Sequence, residues 1–341
     1  MKKLLLLCWM IIMPVCGCTI NYETYKASLI LKQNSDGTYT RRFNSATCDS
    51  TVEVYYLDLK NKNGETIIGD STYIKCGDVD IIIDAGEKNP GSYTVVPFLK
   101  EKVTDRKIEL VIATHTDLDH IGGFVGMSTK EGVLSIEGFT YEHILESGHV
   151  ADTIVYRDFM ADAAATNAKM CTANEIMNGT NQCAKIYRFG NATLEVLDTS
   201  FYNDGTASAN NRSIVTMLTH NDVTFLFPGD LEDDEFFAAN SATNIDIFKA
   251  SHHGASSANS TDILTSTAPE VIILSTSGDN SYNIPQQESL DRMYPVTETI
   301  YATFTTGTIK ITSDGTNYEI SADNLVLFHE TEWFIENRTK N

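Results

Sequence analysis

Residues Thr114 to Gly123 read THTDLDHIGG, directly behind the apolar run IELVIA, so the stretch is a loop springing from the end of a buried strand. Its His115, Asp117, Asp119 and His120 place two imidazoles and two carboxylates within six residues. Carboxylates crowded this closely repel and raise one another's pKa unless a cation neutralises them. A divalent metal site is the economical explanation. Imidazole combined with carboxylate oxygen suits zinc, manganese or iron rather than calcium, and the alternation His-x-Asp-x-Asp-His lets neighbouring side chains turn toward two different cations. The plainer alternative is a solvated acidic turn carrying two incidental histidines.

Working outward, other apolar runs end on residues of the same chemical kind. VDIIIDAG reads as a strand buried on both faces and stops at Asp84. The segment NNRSIVTMLTHNDVTFLFPGDL contains two strands meeting at a His-Asn-Asp turn and stops at Gly229-Asp230, and DIFKASHHGASSA is a short strand ending in His252-His253-Gly254. Consecutive side chains at a strand end diverge, so only one of the paired histidines is expected to bind a metal directly.

The HxDxDHxGG spacing resembles the signature of the metallo-β-lactamase superfamily. Most of that superfamily has His at the second position. Asp117 in its place is similar to the branch holding the hydrolase domain of competence DNA-uptake channels and the choline-phosphate esterases of cell-wall teichoic acid. The resemblance runs in order from about residue 51 to 322. Asp84 falls where the superfamily has a carboxylate that orients a ligand from behind the metal loop. Asn211-x-Ser213 and Gly229-Asp230 match a paired element in which Asp230 resembles the carboxylate shared by both metals. His252-His253-Gly254 matches a further element, with Ala255 where Ser is usual. Alignment on the glycine makes His253 the ligand and His252 a supporting or substrate-facing group.

The sequence also departs from the pattern. Asn280, Tyr282 and Pro285 resemble an Asn-x-Tyr-Gly-His-Pro segment, but Ile284 stands where that segment often has His. Many members supply one more histidine between the metal loop and the shared Asp, and here the aligned stretch offers Asn210 and Asn211. His143, His149, His220 and His329 match no motif.

The resemblance implies an α/β fold, an αβ/βα sandwich of two mixed sheets with helices on the outer faces and the site at one edge. It implies two divalent ions, Zn2+ or Mn2+, held by His115, Asp117, Asp119, His120, Asp230 and His253. Asp119 is expected to act in catalysis as well, with His252 near the scissile group and Asp84 in support.

The chain has 341 residues and a formal charge of -21. It opens with MKKLLLLCWMIIMPVCGC, two lysines and an apolar run too short to span a bilayer as a permanent helix, which reads as an export signal. Val15-Cys16-Gly17-Cys18 resembles a bacterial lipobox, so residues 1–17 are expected to be removed and Cys18 to carry lipid. Ordinary signal cleavage nearby is the alternative. Removing Lys2 and Lys3 takes the charge from -21 to -23. Such acidity disfavours tight binding to a polyanion, although a local basic groove is compatible with it. Residues 18–50 read as a tether and lead-in, 51–330 as the hydrolase domain and 331–341 as a tail.

Four cysteines then remain, Cys48, Cys76, Cys171 and Cys183, and an even number in an exported chain suggests two disulfides. TVEVYYLDL and the segment from Ser71 to Lys75 read as antiparallel neighbours, which sets Cys48 beside Cys76. Cys171 and Cys183 bracket a short polar segment and form the second pair. PFLKEKV reads as a helix, residues 153–178 have helical composition, and TIYATFTTGTIKITSDGTNYEIS reads as a hairpin-rich closing edge. Five Asn-x-Ser/Thr sequons occur, but in a chain so rich in these residues the motif carries little information.

The functional expectation is an exported, lipid-anchored dinuclear hydrolase of a phosphoester, either extracellular nucleic acid or a phosphorylated cell-surface group, with no protein partner. The competing expectation is a surface binding protein whose metal site is structural or degenerate, which the missing histidine and Ile284 favour.

Overall fold

The structure is a computed structural model, and it describes residues 30–45, 47–48, 50–232 and 242–338. The signal segment and Cys18 lie outside the described residues.

Two sheets make up the centre. The eight-stranded sheet begins as an antiparallel meander, Val52–Tyr56, Thr72–Cys76 and Val79–Ile83, and continues with the parallel strands Lys107–Ala113, Thr140–Glu146 and Lys169–Thr172. The nine-stranded sheet repeats the plan. Ala184–Phe189, Ala192–Val196, Thr216–His220 and Val223–Phe227 are antiparallel, and Ile247–Lys249, Val271–Leu274 and Ile300–Ala302 then add in parallel.

Strand alternation explains why the sheets stack. In VDIII, Ile81 and Ile83 join Val54, Ile74 and Leu110 against Leu194, Leu218, Phe225 and Ile247 of the other sheet, forming one apolar core between them. Ile82 points the opposite way, with Tyr73 and Val111, and is covered by Val96, Leu99, Phe124 and Phe159 from helices. Leu226, Phe248 and Ile272 are covered on the second outer face by Ile263, Leu264, Leu290 and Met293. Side chains that alternate with period two thus bury both faces of each sheet, and the result is the expected αβ/βα sandwich.

Several segments differ in detail from their sequence reading. Leu31–Gln33 and Tyr39–Arg42, inside the stretch read as tether and lead-in, form an edge of the nine-stranded sheet through Ala184–Phe189. The stretch 153–178 is not one helix. Helix Ile154–Ala165 stops, Asn167 takes a left-handed φ of 60°, and Lys169–Thr172 becomes a strand beside Thr140–Glu146 before the helix Ala173–Met177. The closing segment divides between sheets: Ile300–Ala302 ends one, whereas Ile309–Ser313 and Tyr318–Ser321 edge the other. The last described helix, Glu332–Arg338, seats Phe334 in the outer core.

Both disulfides form as expected, Cys48–Cys76 and Cys171–Cys183. No helix among the described residues is long and apolar enough to cross a membrane.

Candidate metal centre

Asp84, the His115 loop, Asp230 and the His252-His253 pair each follow the carboxyl end of a strand, and the two sheets bring those ends together at one edge. That is where open α/β sheets expose backbone and loops to a ligand.

Asp230 is the focus. Its Oδ2 lies 3.1 Å from His120 Nε2, 3.4 Å from His253 Nε2, 3.7 Å from His252 Nε2 and 3.9 Å from His115 Nε2. Asp119 Oδ2 lies 3.2 Å from His253 Nε2, and Asp117 Oδ2 lies 3.8 Å from His115 Nε2. All seven residues singled out from the sequence at the metal loop, the shared carboxylate and the histidine pair are therefore within one small volume.

The far side of each ring is held. Asp84 sits in a left-handed conformation and takes the Thr114 N–H at 2.8 Å, the Thr114 hydroxyl at 2.6 Å and His120 Nδ1 at 2.7 Å. His115 Nδ1 faces the Thr114 and Ser213 hydroxyls at 3.2 and 3.4 Å, and Ser213 also accepts the Asp230 N–H at 3.0 Å. His253 Nδ1 donates to Ser275 O at 2.9 Å. With Nδ1 engaged, Nε2 is the atom each ring offers, and partners of this kind fix tautomer and orientation in metal sites.

Two residues went unread in the sequence. Asp70 and Lys249 are buried together as an ion pair, and Lys249 Nζ also donates to Gly229 O at 3.2 Å and lies 3.8 Å from Asp230 Oδ1. Ligand-type atoms of Asp70, His120, Asp230 and His253 all fall within 4.8 Å of one another. Asp70 nevertheless stands behind the rings, 3.3 Å from His253 Nδ1 and 3.9 Å from His120 Nδ1, so it orients them, whereas Asp119 shares their Nε2 side. The readable signal was Lys249 itself, a charge inside the apolar strand DIFKA that demanded a carboxylate partner.

Charges follow from this packing. Burial works against a charged His120 or His253, yet Asp230, then Asp84 for His120 and Asp70 for His253, raise both well above the ordinary imidazole range. Burial likewise opposes ionisation of Asp230, and His120 and His253 hold it well below the usual carboxylate range. His115, buried and beside His120, is pushed down to about 3. Both rings are thus biased toward the charged form beside one carboxylate. Divalent cations compete for those same atoms.

The donor set fits such cations. Ligands about 2.0–2.1 Å from a tetrahedral metal stand about 3.3–3.4 Å apart, close to the 3.1–3.4 Å among Asp119, His120, Asp230 and His253. Among the described residues, His115 Nε2 and Asp230 Oδ1 are buried with no hydrogen-bond partner. An imidazole nitrogen and a carboxylate oxygen left free and facing each other are donors of the kind a divalent cation takes.

Ile284 and its neighbours serve the wall rather than the centre. Asn280 ties its own loop together, accepting the Tyr282 and Ile284 N–H groups and donating to Ser277 O and Ile284 O. Ile284 packs on Ile68 and Ala255, and Tyr282 is exposed.

Compared with known proteins, the sequence matches no family profile and no curated protein. Its fold does match solved structures. A metallo-β-lactamase fold protein of Bacillus subtilis, YhfI, superposes at a TM-score of 0.50 with 13% identity, covering 78% of this chain and 100% of that one. This chain has the metallo-β-lactamase fold. Zn(2+)-bound PqqB of Methylobacterium extorquens is similar at a TM-score of 0.43, 11% identity and 74% and 97% coverage, and a long form RNase Z of yeast at 0.40, 12% identity and 87% and 44% coverage. At these identities the likeness is one of fold.

Proposed function

We propose that this metallo-β-lactamase-fold chain is an exported, metal-dependent hydrolase of phosphoester bonds. In this reading two divalent cations, Zn2+ or Mn2+, are held by His115, Asp117, Asp119, His120, Asp230 and His253. The observation that carries it is the convergence of four imidazole Nε2 atoms on one oxygen of Asp230.

Two cations bound there would acidify a water and spread the oxygen charge that develops in a displacement at phosphorus. The chain's own residues do the positioning. Asp84 and Asp70 hold His120 and His253 from behind, and Ser213 ties His115 to the Asp230 backbone. Asp117, half exposed at 51%, and His252, at 23%, face the open side of the cluster where a substrate enters. A phosphoester is preferred because Asp117 in the HxDxDH loop resembles the phosphoesterase branch of the superfamily. The negative charge of the chain favours a small phosphorylated cell-surface group over long nucleic acid.

Export is supported by the leader-like first 17 residues and by two disulfides, which persist in oxidising compartments. A lipid on Cys18 would then tether the domain to the membrane surface.

The test is a screen of the purified ectodomain with Mn2+ and Zn2+ against bis-p-nitrophenyl phosphate, single-stranded DNA and p-nitrophenylphosphorylcholine. Turnover of a phosphoester that EDTA abolishes and metal restores is expected. No metal uptake and no turnover would instead leave a surface binding protein, the reading that the missing histidine favours.

A further inference from the structure

Among the described residues, the set around His115 is one ligand short. Asp119, His120, Asp230 and His253 supply four donors to one cation, but His115, Asp117 and Asp230 supply three to the other. Asn211, at the position where another histidine was sought, spends its carbonyl on the Glu232 N–H at 3.0 Å.

The chain has eight histidines, and four of them are engaged elsewhere. His143 packs on Phe43 and Tyr187, His149 Nδ1 takes an N–H of Arg212 at 2.6 Å, His220 Nδ1 meets the Ser313 hydroxyl at 2.9 Å, and His329 lies edge-on to Tyr294. Three more are already ligands in the proposed set. His252 remains.

Its geometry is that of a ligand. His252 and His253 both take left-handed backbone angles, φ 47° with ψ 48° and φ 55° with ψ 13°. In an extended strand end the two rings would part; in this turn both present Nε2 to Asp230 Oδ2, at 3.7 and 3.4 Å. Two such residues in succession are strained by about 1–3 kcal/mol each, so their surroundings must impose the turn. Asn259, fully buried, does so, accepting the Ser251 N–H at 2.7 Å and donating back to Ser251 O at 2.9 Å, while the His252 N–H reaches Gly229 O at 3.2 Å. Behind the ring, His252 Nδ1 lies 3.2 Å from Glu232 Oε1, and Ser257 donates to that oxygen at 2.8 Å.

We propose that His252 is a metal ligand, completing the set of His115, Asp117 and Asp230, with Glu232 as the carboxylate that positions its ring. The inference rests on the dinuclear reading given above. It turns a group expected to face substrate into one that builds the centre.

Metal-free ectodomain is titrated with Mn2+, with bound metal read by elemental analysis and the dinuclear state by electron paramagnetic resonance. Wild type is expected to bind two equivalents and show a spin-coupled pair. His252→Ala is expected to keep one equivalent with affinity unchanged within about threefold, to weaken the second by at least about 100-fold and to give an isolated-ion spectrum; His252→Asp restores the second equivalent. Glu232→Gln, which leaves the turn intact, is expected to weaken the second equivalent alone by about 10–100-fold. Two equivalents at wild-type affinity in His252→Ala, with only turnover lost, would overturn the proposal and leave the dinuclear reading standing. Fewer than two equivalents in wild type would overturn both.

Discussion

Replacing Lys249 by Met isolates the electrostatics of the centre from its coordination. Lys249 is 3% exposed, ion-paired with Asp70 and 3.8 Å from Asp230 Oδ1. Burial pulls its pKa down, but Asp70 and then Asp230 hold it above the ordinary lysine value. It is thus a cation among three buried carboxylates, Asp70, Asp84 and Asp230. Met fills nearly the same space, so little cavity is made, whereas Asp70 loses its counter-ion. Removing one partner of a buried pair costs about 3–5 kcal/mol. Urea unfolding in EDTA is expected to show a loss of that size at pH 8. The loss should shrink toward pH 5, because an unpaired buried Asp70 can take up a proton instead. Saturating Mn2+ or Zn2+ should then stabilise the variant more than wild type, since each site filled at about 100 times its Kd adds about 2.7 kcal/mol and the more negative site binds cations more tightly. Metal-free stability within about 1 kcal/mol of wild type would refute the ion pair as a structural element. An equal gain from metal in both proteins would refute the idea that Lys249 stands in for cation charge.

Other expectations are more direct. Asp230→Ala should lose more than one equivalent of metal by elemental analysis, because one carboxylate oxygen faces all four Nε2 atoms. Glu146, buried at the end of its strand beside His115, Tyr156 and Phe159, is raised by burial to about 7. Its folded pKa lies above the unfolded value of about 4.5, so the folded state holds the extra proton, and stability falls as pH rises from about 4.5 through 7. Glu146→Gln, which can still accept the Gly148 N–H, should remove that slope and gain up to about 3 kcal/mol at pH 8, with no gain at pH 4, by urea unfolding. Reducing the disulfides, which close loops of 28 and 12 residues, should lower unfolding stability by about 3–4 kcal/mol for each on the chain-entropy argument while leaving metal content unchanged at low temperature.

The layered fold was legible because the strands carry a single-residue alternation, Ile81 and Ile83 inward with Ile82 outward, and because metal-type residues sit at strand ends. The disulfide pairing was legible for the same reason, since an antiparallel register sets Cys76 against the start of Val52–Tyr56. What the sequence concealed is set by tertiary contact. Nothing local marks residues 31–42 as strands, because their order comes from pairing with residues about 145 positions later. Asp70 is one acidic residue before a strand, and only the approach of Lys249, from the other sheet, gives it a role.

The histidine pair shows most plainly how local reasoning fails at a strained site. The expectation that neighbouring side chains diverge is sound for extended backbone. It lapses at Ser251–Gly254, where two left-handed residues reverse the geometry. The left-handed region is costly for any residue with a Cβ, and two in succession double that cost. The turn exists because a buried asparagine eight residues later clamps Ser251 on both its N–H and its carbonyl, and because Gly254, at φ 91°, lets the chain leave the turn against Leu274 and Pro285. Strain of this kind persists only where the surroundings over-determine it, and here they turn both ring nitrogens toward the same oxygen of Asp230.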